Sequence, residues 1–337
     1  MALKPPVEVP QGAIRLNTDS QKLEFYAQDQ WWQMATDVLG DNLQGGSGRG
    51  LVMQGIEPAK VNSVSYVDIT ATGTGVDFGD ATANKRAPAG LGSRTRALSG
   101  GGNNPSVHDE VDYFTFASTG NGIDWGDLND ERSAMGACAS ATRGIFAGGY
   151  DPSSSNMIEL VTIASTGSAQ DFGDLSTNRW DLTGMASPTR GVFANGTIVA
   201  ANDQVTNIIE FVTIASTGNA QDFGDATGIK QACPGCSNST RGIWGGGYTP
   251  SGTKNLDTIE IATTSNAVDF GDLTHSLTVG SSFCSPTRGV WAAGYSGGNT
   301  NILNYVNIAT YGDAVDYGDL NRACHRTGGA SNSHGGL

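Results

Sequence analysis

Six copies of one tetrapeptide, Asp-aromatic-Gly-Asp, constrain this chain more than any other feature. They stand at Asp77-Phe78-Gly79-Asp80, Asp124-Trp125-Gly126-Asp127, Asp171-Phe172-Gly173-Asp174, Asp222-Phe223-Gly224-Asp225, Asp269-Phe270-Gly271-Asp272 and Asp316-Tyr317-Gly318-Asp319. Successive copies are 47, 47, 51, 47 and 47 residues apart. A period that steady means repeated supersecondary units, none of which can bury its apolar face except against its neighbours.

A second marker keeps the same period. Arg49-Gly50-Leu51-Val52 returns as Arg143-Gly144-Ile145-Phe146, Arg190-Gly191-Val192-Phe193, Arg241-Gly242-Ile243-Trp244 and Arg288-Gly289-Val290-Trp291, with Arg96-Ala97-Leu98 as the most divergent copy. One repeat therefore reads as four short runs. The first is small and apolar (Gly184-Met185-Ala186-Ser187), and the second is Gly191-Val192-Phe193-Ala194. The third alternates (Ile209-Glu210-Phe211-Val212-Thr213-Ile214), and the fourth carries the acidic motif. Four strand-like runs per repeat, with tight turns between them, predict an all-β, six-bladed β-propeller. Before Arg49 there is no convincing first run, whereas Gly328-Gly329-Ala330-Ser331 is a first run with no repeat after it. Closure by both ends of the repeat region follows, which is how a ring hides its edges.

Upstream of the repeats, residues 1–12 read as a Pro-rich arm. Three strand-like runs follow (13–17, 22–26 and 31–34), and then a Gly-rich linker near residues 40–48. Residues 1–45 are thus expected to form a small β-meander separate from a propeller at 46–337. A meander this short buries little by itself. Its apolar residues Ile14, Leu16, Leu23, Phe25, Trp31 and Trp32 are therefore the candidates for anchoring it to something larger.

Composition narrows the partners. The net charge is −14 and only 15% of residues are charged, which disfavours a nucleic-acid backbone as ligand. No apolar run approaches the roughly 20 residues that span a bilayer, so membrane insertion is not expected. The segment Met1-Ala2-Leu3-Lys4-Pro5-Pro6 has no apolar stretch of the secretory kind. Five cysteines (Cys138, Cys233, Cys236, Cys284 and Cys324) are an odd number and do not recur in every repeat. Reduced thiols are the expectation, and Cys233-x-x-Cys236 lacks the second pair that a zinc site needs.

Candidate sites come from what varies. In an up-and-down blade the one–two and three–four connections share one face of the disc. They are nearly constant here, with Ser-Pro-Thr-Arg and Ala-Ser-Thr-Gly turns. The two–three and four–one connections share the other face and vary freely. A rigid scaffold with one diversified loop face reads as a recognition surface, against the alternative of unconstrained drift. Its candidate contacts are Tyr150, Tyr248 and Tyr295 for stacking, together with Arg132, Arg179, Trp180 and Lys230.

The repeated residues have plainer readings. The motif aromatic is expected to pack between blades, and its glycine to allow a close approach or a bulge; six calcium sites are the alternative. The six arginines are expected to pair with carboxylates, with a polyanion-binding ring as the alternative. Four histidines at unrelated repeat positions, and no nucleophile-elbow, zinc-protease or phosphate-loop motif, point to a non-enzymatic protein without a cofactor, with a glycosidase carboxylate pair as the alternative.

The turn, apolar run and Gly-Gly of each blade are similar to kelch-type propellers, although Asp-Phe-Gly-Asp replaces the kelch aromatic pattern. Thr162-Ile163-Ala164-Ser165-Thr166-Gly167 through Asp171-Phe172-Gly173-Asp174-Leu175, with Ser187-Pro188-Thr189-Arg190-Gly191, resembles repeats in structural proteins of tailed bacteriophages. Gly12-Ala13-Ile14-Arg15-Leu16-Asn17-Thr18-Asp19, with Leu23-Glu24-Phe25-Tyr26 and Trp31, resembles a short module of phage tail fibres and other virion appendages. The resemblance implies a non-enzymatic virion protein made in the host cytoplasm, a tail-fibre or head or tail decoration. Its N-terminal segment would be held by other virion proteins, with self-association in the particle as an option. Its propeller would be displayed for host attachment, with a host cell-surface glycan as the candidate ligand. The alternatives are a free lectin-like glycan-binding propeller and, behind it, a polysaccharide-degrading enzyme.

Overall fold

The computed structural model describes residues 10, 12–17, 22–28, 30–33, 48–198 and 204–337. It divides into two compact units, Met1–Gly45 and Gly46–Leu337. Every regular element among the described residues is a β-strand, and no helix is long and apolar enough to cross a membrane.

The larger unit is a six-bladed propeller of four-stranded antiparallel sheets. Chain order runs from the innermost strand to the outermost in every blade but the first. That blade takes its inner strand from Gly328–Ser331, followed by Arg49–Glu57, Ala59–Asp68 and Val76–Lys85. Ala330 pairs with Leu51 and Gly328 with Met53, so the ring closes as the repeat count predicts. The second to sixth blades begin at Ala89–Gly92, Gly136–Ala139, Thr183–Ala186, Gly235–Ser237 and Ser281–Cys284. They end at Ile123–Asp127, Gln170–Asp174, Gln221–Asp225, Val268–Asp272 and Val315–Cys324. The six inner strands neighbour one another around the axis and line a narrow channel.

The core lies between blades. Phe172 packs with Leu160 of its own blade and with Phe193 and Val212 of the next, and five further clusters sit at the other interfaces. Each motif aromatic is about 2% exposed, which for a Phe removes enough apolar surface to contribute about 2–3 kcal/mol.

The motif glycine adopts φ between +132° and +146° in all six copies, where a side chain is strained. A bulge sits there too, as between Ile158 and Glu159 opposite Gly173. The bulge brings each outer strand against the three–four turn of the next blade. A Cβ on Gly173 would lie 2.5 Å from the Gly218 carbonyl oxygen. Gly218 N donates to Phe172 O at 2.7 Å and Ala220 N to Asp174 O at 2.8 Å. The same two bonds join the first blade to the second, through Gly120 to Phe78 and Gly122 to Asp80. The Asp-aromatic-Gly-Asp motif is therefore a blade-to-blade clasp, and the Ala-Ser-Thr-Gly turn is its counterpart.

The arginines require a correction. They donate across the blade interface to backbone carbonyls at the end of the next third strand, not to carboxylates. Arg143 Nη1 reaches Ile214 O and Ala215 O, both at 2.9 Å, and Arg288 reaches Ile69 O and Thr70 O. Even the divergent copy, Arg96, reaches Ile163 O and Ala164 O. Arg241 alone adds a carboxylate, Glu260 of its own blade, at 2.9 Å. Aromatic rings lie under five of the six guanidinium groups, at 4.4–5.1 Å from the ring centroid.

The smaller unit is a three-stranded antiparallel meander, Ile14–Asn17, Lys22–Ala27 and Gln30–Gln33, with Ile14 opposite Phe25 and Phe25 opposite Trp32. Arg15 pairs with Glu24 at 2.8 Å and lies over the Trp31 ring. Ile14 is 63% and Trp32 44% exposed, so the meander carries uncovered apolar surface. The side chains of Leu16, Leu23 and Phe25, most of the Pro-rich arm and the Gly-rich linker up to residue 47 lie outside the described residues.

Candidate functional site

The four–one and two–three connections meet in a collar around one mouth of the channel. Single bridges join Arg86 to Asn103, Ser133 to Tyr150, Trp180 to Thr197, Gln231 to Tyr248, Thr278 to Tyr295 and His325 to Ile56. One residue further on, Ala87, Ala134, Asp181, Ala232, Val279 and Arg326 form an inner hoop. Each donates its N–H to the carbonyl of the one before: Ala134 to Ala87 at 3.0 Å, Asp181 to Ala134 at 2.9 Å, Ala232 to Asp181 at 2.8 Å and Val279 to Ala232 at 3.1 Å. Arg326 to Val279 at 2.6 Å and Ala87 to Arg326 at 2.7 Å close the circle. All six residues hold φ between +48° and +55° although none is glycine. Six repeats thus build one backbone and vary only its side chains.

Two of the six hoop side chains are charged, and they stand at opposite positions. Arg326 reaches across the mouth to Asp181 at 3.7 Å, with the aspartate side chain 9% and the arginine 28% exposed. Burial pushes the Asp181 carboxyl above its ordinary range, and Arg326 only partly opposes the shift. Beside this pair opens a cavity of about 300 Å³ lined by Gln231, Tyr248, Thr278, Tyr295, His325 and the pair itself. Below it the channel narrows to about 130 Å³ and then about 60 Å³ between the inner strands. Residues 332–337 fold into the far end, where His334 bonds Gly92 O and Gly335 N donates to Ser237 O.

The recognition candidates divide sharply. Tyr150, Tyr248 and Tyr295 are 39–46% exposed on the collar. Tyr150 lies against Trp180 with ring centroids 5.6 Å apart, and Tyr295 against His325 at 5.8 Å. Arg132, Arg179 and Lys230 are a correction: all three are buried under the collar. Arg132 pairs with Glu159, Arg179 with Glu210, and Lys230 with Asp257 at 3.1 Å. The same acids take linker groups just after the clasp, as Asn129 N donates to Glu159 and Ser176 N to Glu210. These cations hold linkers to blades and are not placed to meet a ligand. The available signal was an acid inside the apolar third strand of these blades, as in Ile158-Glu159-Leu160 and Ile209-Glu210-Phe211. The sixth blade meets its linker through neutral groups, with Thr274 Oγ1 donating to Asn304.

Among the described residues no three His, Cys, Asp or Glu converge on one point. The motif aspartates are mostly exposed on the rim. Cys233 packs in the core between the fourth and fifth blades and Cys236 in the next core, so the Cys-x-x-Cys pair does not converge. All five cysteines are free and buried.

Among the described residues, hoop and collar form a surface of the disc where a repeated backbone carries diversified, partly exposed side chains. Compared with known proteins, the chain matches no family model and no curated protein.

Proposed function

We propose that this chain is a non-enzymatic attachment protein of a virus particle, a tail-fibre or decoration appendage whose collar face meets the host surface. One observation carries the recognition half of this reading. Residues that hold the disc together recur in every blade, while the hoop reads Ala, Ala, Asp, Ala, Val and Arg on one unchanging backbone. Diversity confined to the rim of a rigid scaffold is what a binding face requires. The particle half rests on the resemblance of the repeats and the N-terminal module to phage structural proteins, and on the apolar surface that Ile14 and Trp32 leave uncovered.

The buried third-strand acids serve the scaffold. Glu159, Glu210 and Asp257 are each engaged by a cation and cannot reach a substrate.

Cryo-electron microscopy of particles carrying the chain tests the reading. Residues 1–45 held in the particle, with the collar face turned to solvent, are expected. A collar buried against neighbouring virion proteins would overturn attachment, and the loop diversity would then record packing.

A further inference from the structure

The collar is not evenly charged. In a chain of net charge −14, three cations gather on one sector of it with little to neutralise them. Lys60 Nζ and Arg86 Nε both donate to a single neutral oxygen, Asn103 Oδ1, at 3.1 and 3.3 Å. Arg326 follows next along the hoop, where its carbonyl accepts the N–H of Ala87. Its one ion pair among the described residues is the 3.7 Å contact with Asp181, so most of its guanidinium donors remain unspent. The arrangement registers in the neighbouring side chains. Burial and the Arg86 charge lower the Lys60 pKa; burial, Arg326 and Arg86 do the same to His325. One neutral amide oxygen does not neutralise two cations, so both keep charge to offer an anion.

Next to this sector lies the cavity of about 300 Å³, with Tyr248 and Tyr295 each nearly half exposed and Gln231 and Thr278 between them. That volume is at the lower end of ligand sites, about 300–1,000 Å³. Half-exposed phenol rings beside amide and hydroxyl groups suit a ligand with both C–H faces and hydroxyls. A nucleic-acid strand is disfavoured by long-range repulsion from an acidic disc. An extended peptide would add to the short outer-strand edges at the rim, not to the collar, where the connections already bridge one another.

We propose that the collar binds an acidic saccharide: Arg86, Lys60 and Arg326 take its carboxylate or sulfate groups, and Tyr248 and Tyr295 carry the sugar faces. Asp181 competes for Arg326 and holds the site closed until an acidic group replaces it. This inference rests on the attachment reading only for the biological source of the saccharide.

Calorimetric titration of the full-length chain tests it, with a galacturonic-acid tetrasaccharide, a sulfated galactan tetrasaccharide and a neutral galactan tetrasaccharide as probes. At least one acidic probe is expected to bind about tenfold or more tightly than the neutral one, because charge-assisted hydrogen bonds are lost with the acid groups. The stronger of the two acidic probes identifies the group that the site takes. Arg86→Gln and Arg326→Gln are each expected to weaken that binding about tenfold, and Asp181→Asn to strengthen it. Should Arg326→Gln misfold, Lys60→Gln at the collar surface carries the same expectation. Equal binding of the neutral probe, failure of both acidic probes, or indifference to Arg86→Gln and Arg326→Gln would each overturn the proposal. Cell binding through the collar without acidic-probe binding removes the saccharide assignment alone. Probe binding with the collar buried in the particle removes the attachment reading alone.

Discussion

Arg179 and Glu210 meet out of reach of water, the guanidinium on the linker that leaves the third blade and the carboxylate on the third strand of the fourth. Arg179 Nη1 also donates to Asn195 O at 3.0 Å and Ile208 O at 3.1 Å, and Glu210 accepts from Ser176 N at 2.9 Å. One ion pair therefore fixes the angle at which one blade hands over to the next. Glu210→Ala leaves a buried cation unpaired and is expected to cost about 3–5 kcal/mol of unfolding free energy. The double variant Arg179→Met with Glu210→Leu is expected to recover most of that loss, because it removes both desolvated charges. Urea denaturation of the three proteins checks both expectations.

The clasp makes an equally specific demand. Gly126 sits at φ +132°, and a Cβ there would overlap the Gly167 carbonyl oxygen. Gly126→Ala is expected to lower stability by about 1–3 kcal/mol from backbone strain alone, with the clash added. Gly167→Ala, whose Cβ meets nothing within 4 Å, is expected to stay near the parent in the same thermal melts.

Closure can be tested at the seam. Gly329 pairs with Val52, and its absent side chain leaves room for the Ser282 carbonyl oxygen at 2.3 Å from an ideal Cβ. Gly329→Val is expected to push the inner strand out of the ring and expose the edge of Arg49–Glu57. Sedimentation velocity should then show self-association that the parent lacks.

His334 gives the disc a pH slope. Its Nδ1 accepts from Gly336 N at 3.1 Å and its other nitrogen bonds Gly92 O, which requires the neutral ring with the proton on Nε2. Burial lowers its pKa to about 4. Between that value and the ordinary 6.5 the unfolded chain binds a proton that the folded chain refuses, so stability rises with pH across this window and falls on acidification. The full difference corresponds to about 3 kcal/mol. Denaturation between pH 7.5 and pH 5 is expected to show the slope in the parent and to lose this part of it in His334→Gln.

The sequence carried the fold because the clasp repeats. Gly79 and its five counterparts mark an unusual backbone at a fixed period, and the surplus first run at 328–331 names the partner of Arg49–Glu57. The arginine contacts were illegible for a physical reason: backbone carbonyls accept hydrogen bonds whatever residue bears them, so Ile214 and Ala215 leave no trace of the role. Arg132 and Lys230 misled because polar linkers ordinarily face water. The acids that draw them inward belong to strands 27 residues further along the chain, at Glu159 and Asp257. Tyr248 and Tyr295 could be picked out singly, but their sharing of one cavity with Asp181 and Arg326 is a property of the closed ring.

The hoop of Ala87, Ala134, Asp181, Ala232, Val279 and Arg326 is held entirely by main-chain groups. Structural duty and chemical identity are therefore uncoupled at these six positions. Any residue that tolerates the left-handed backbone keeps the circle intact, whichever charge or shape it projects over the mouth. A lineage of such discs can rewrite what it recognises one blade at a time without loosening the walls, and a designer has six addresses around a single axis.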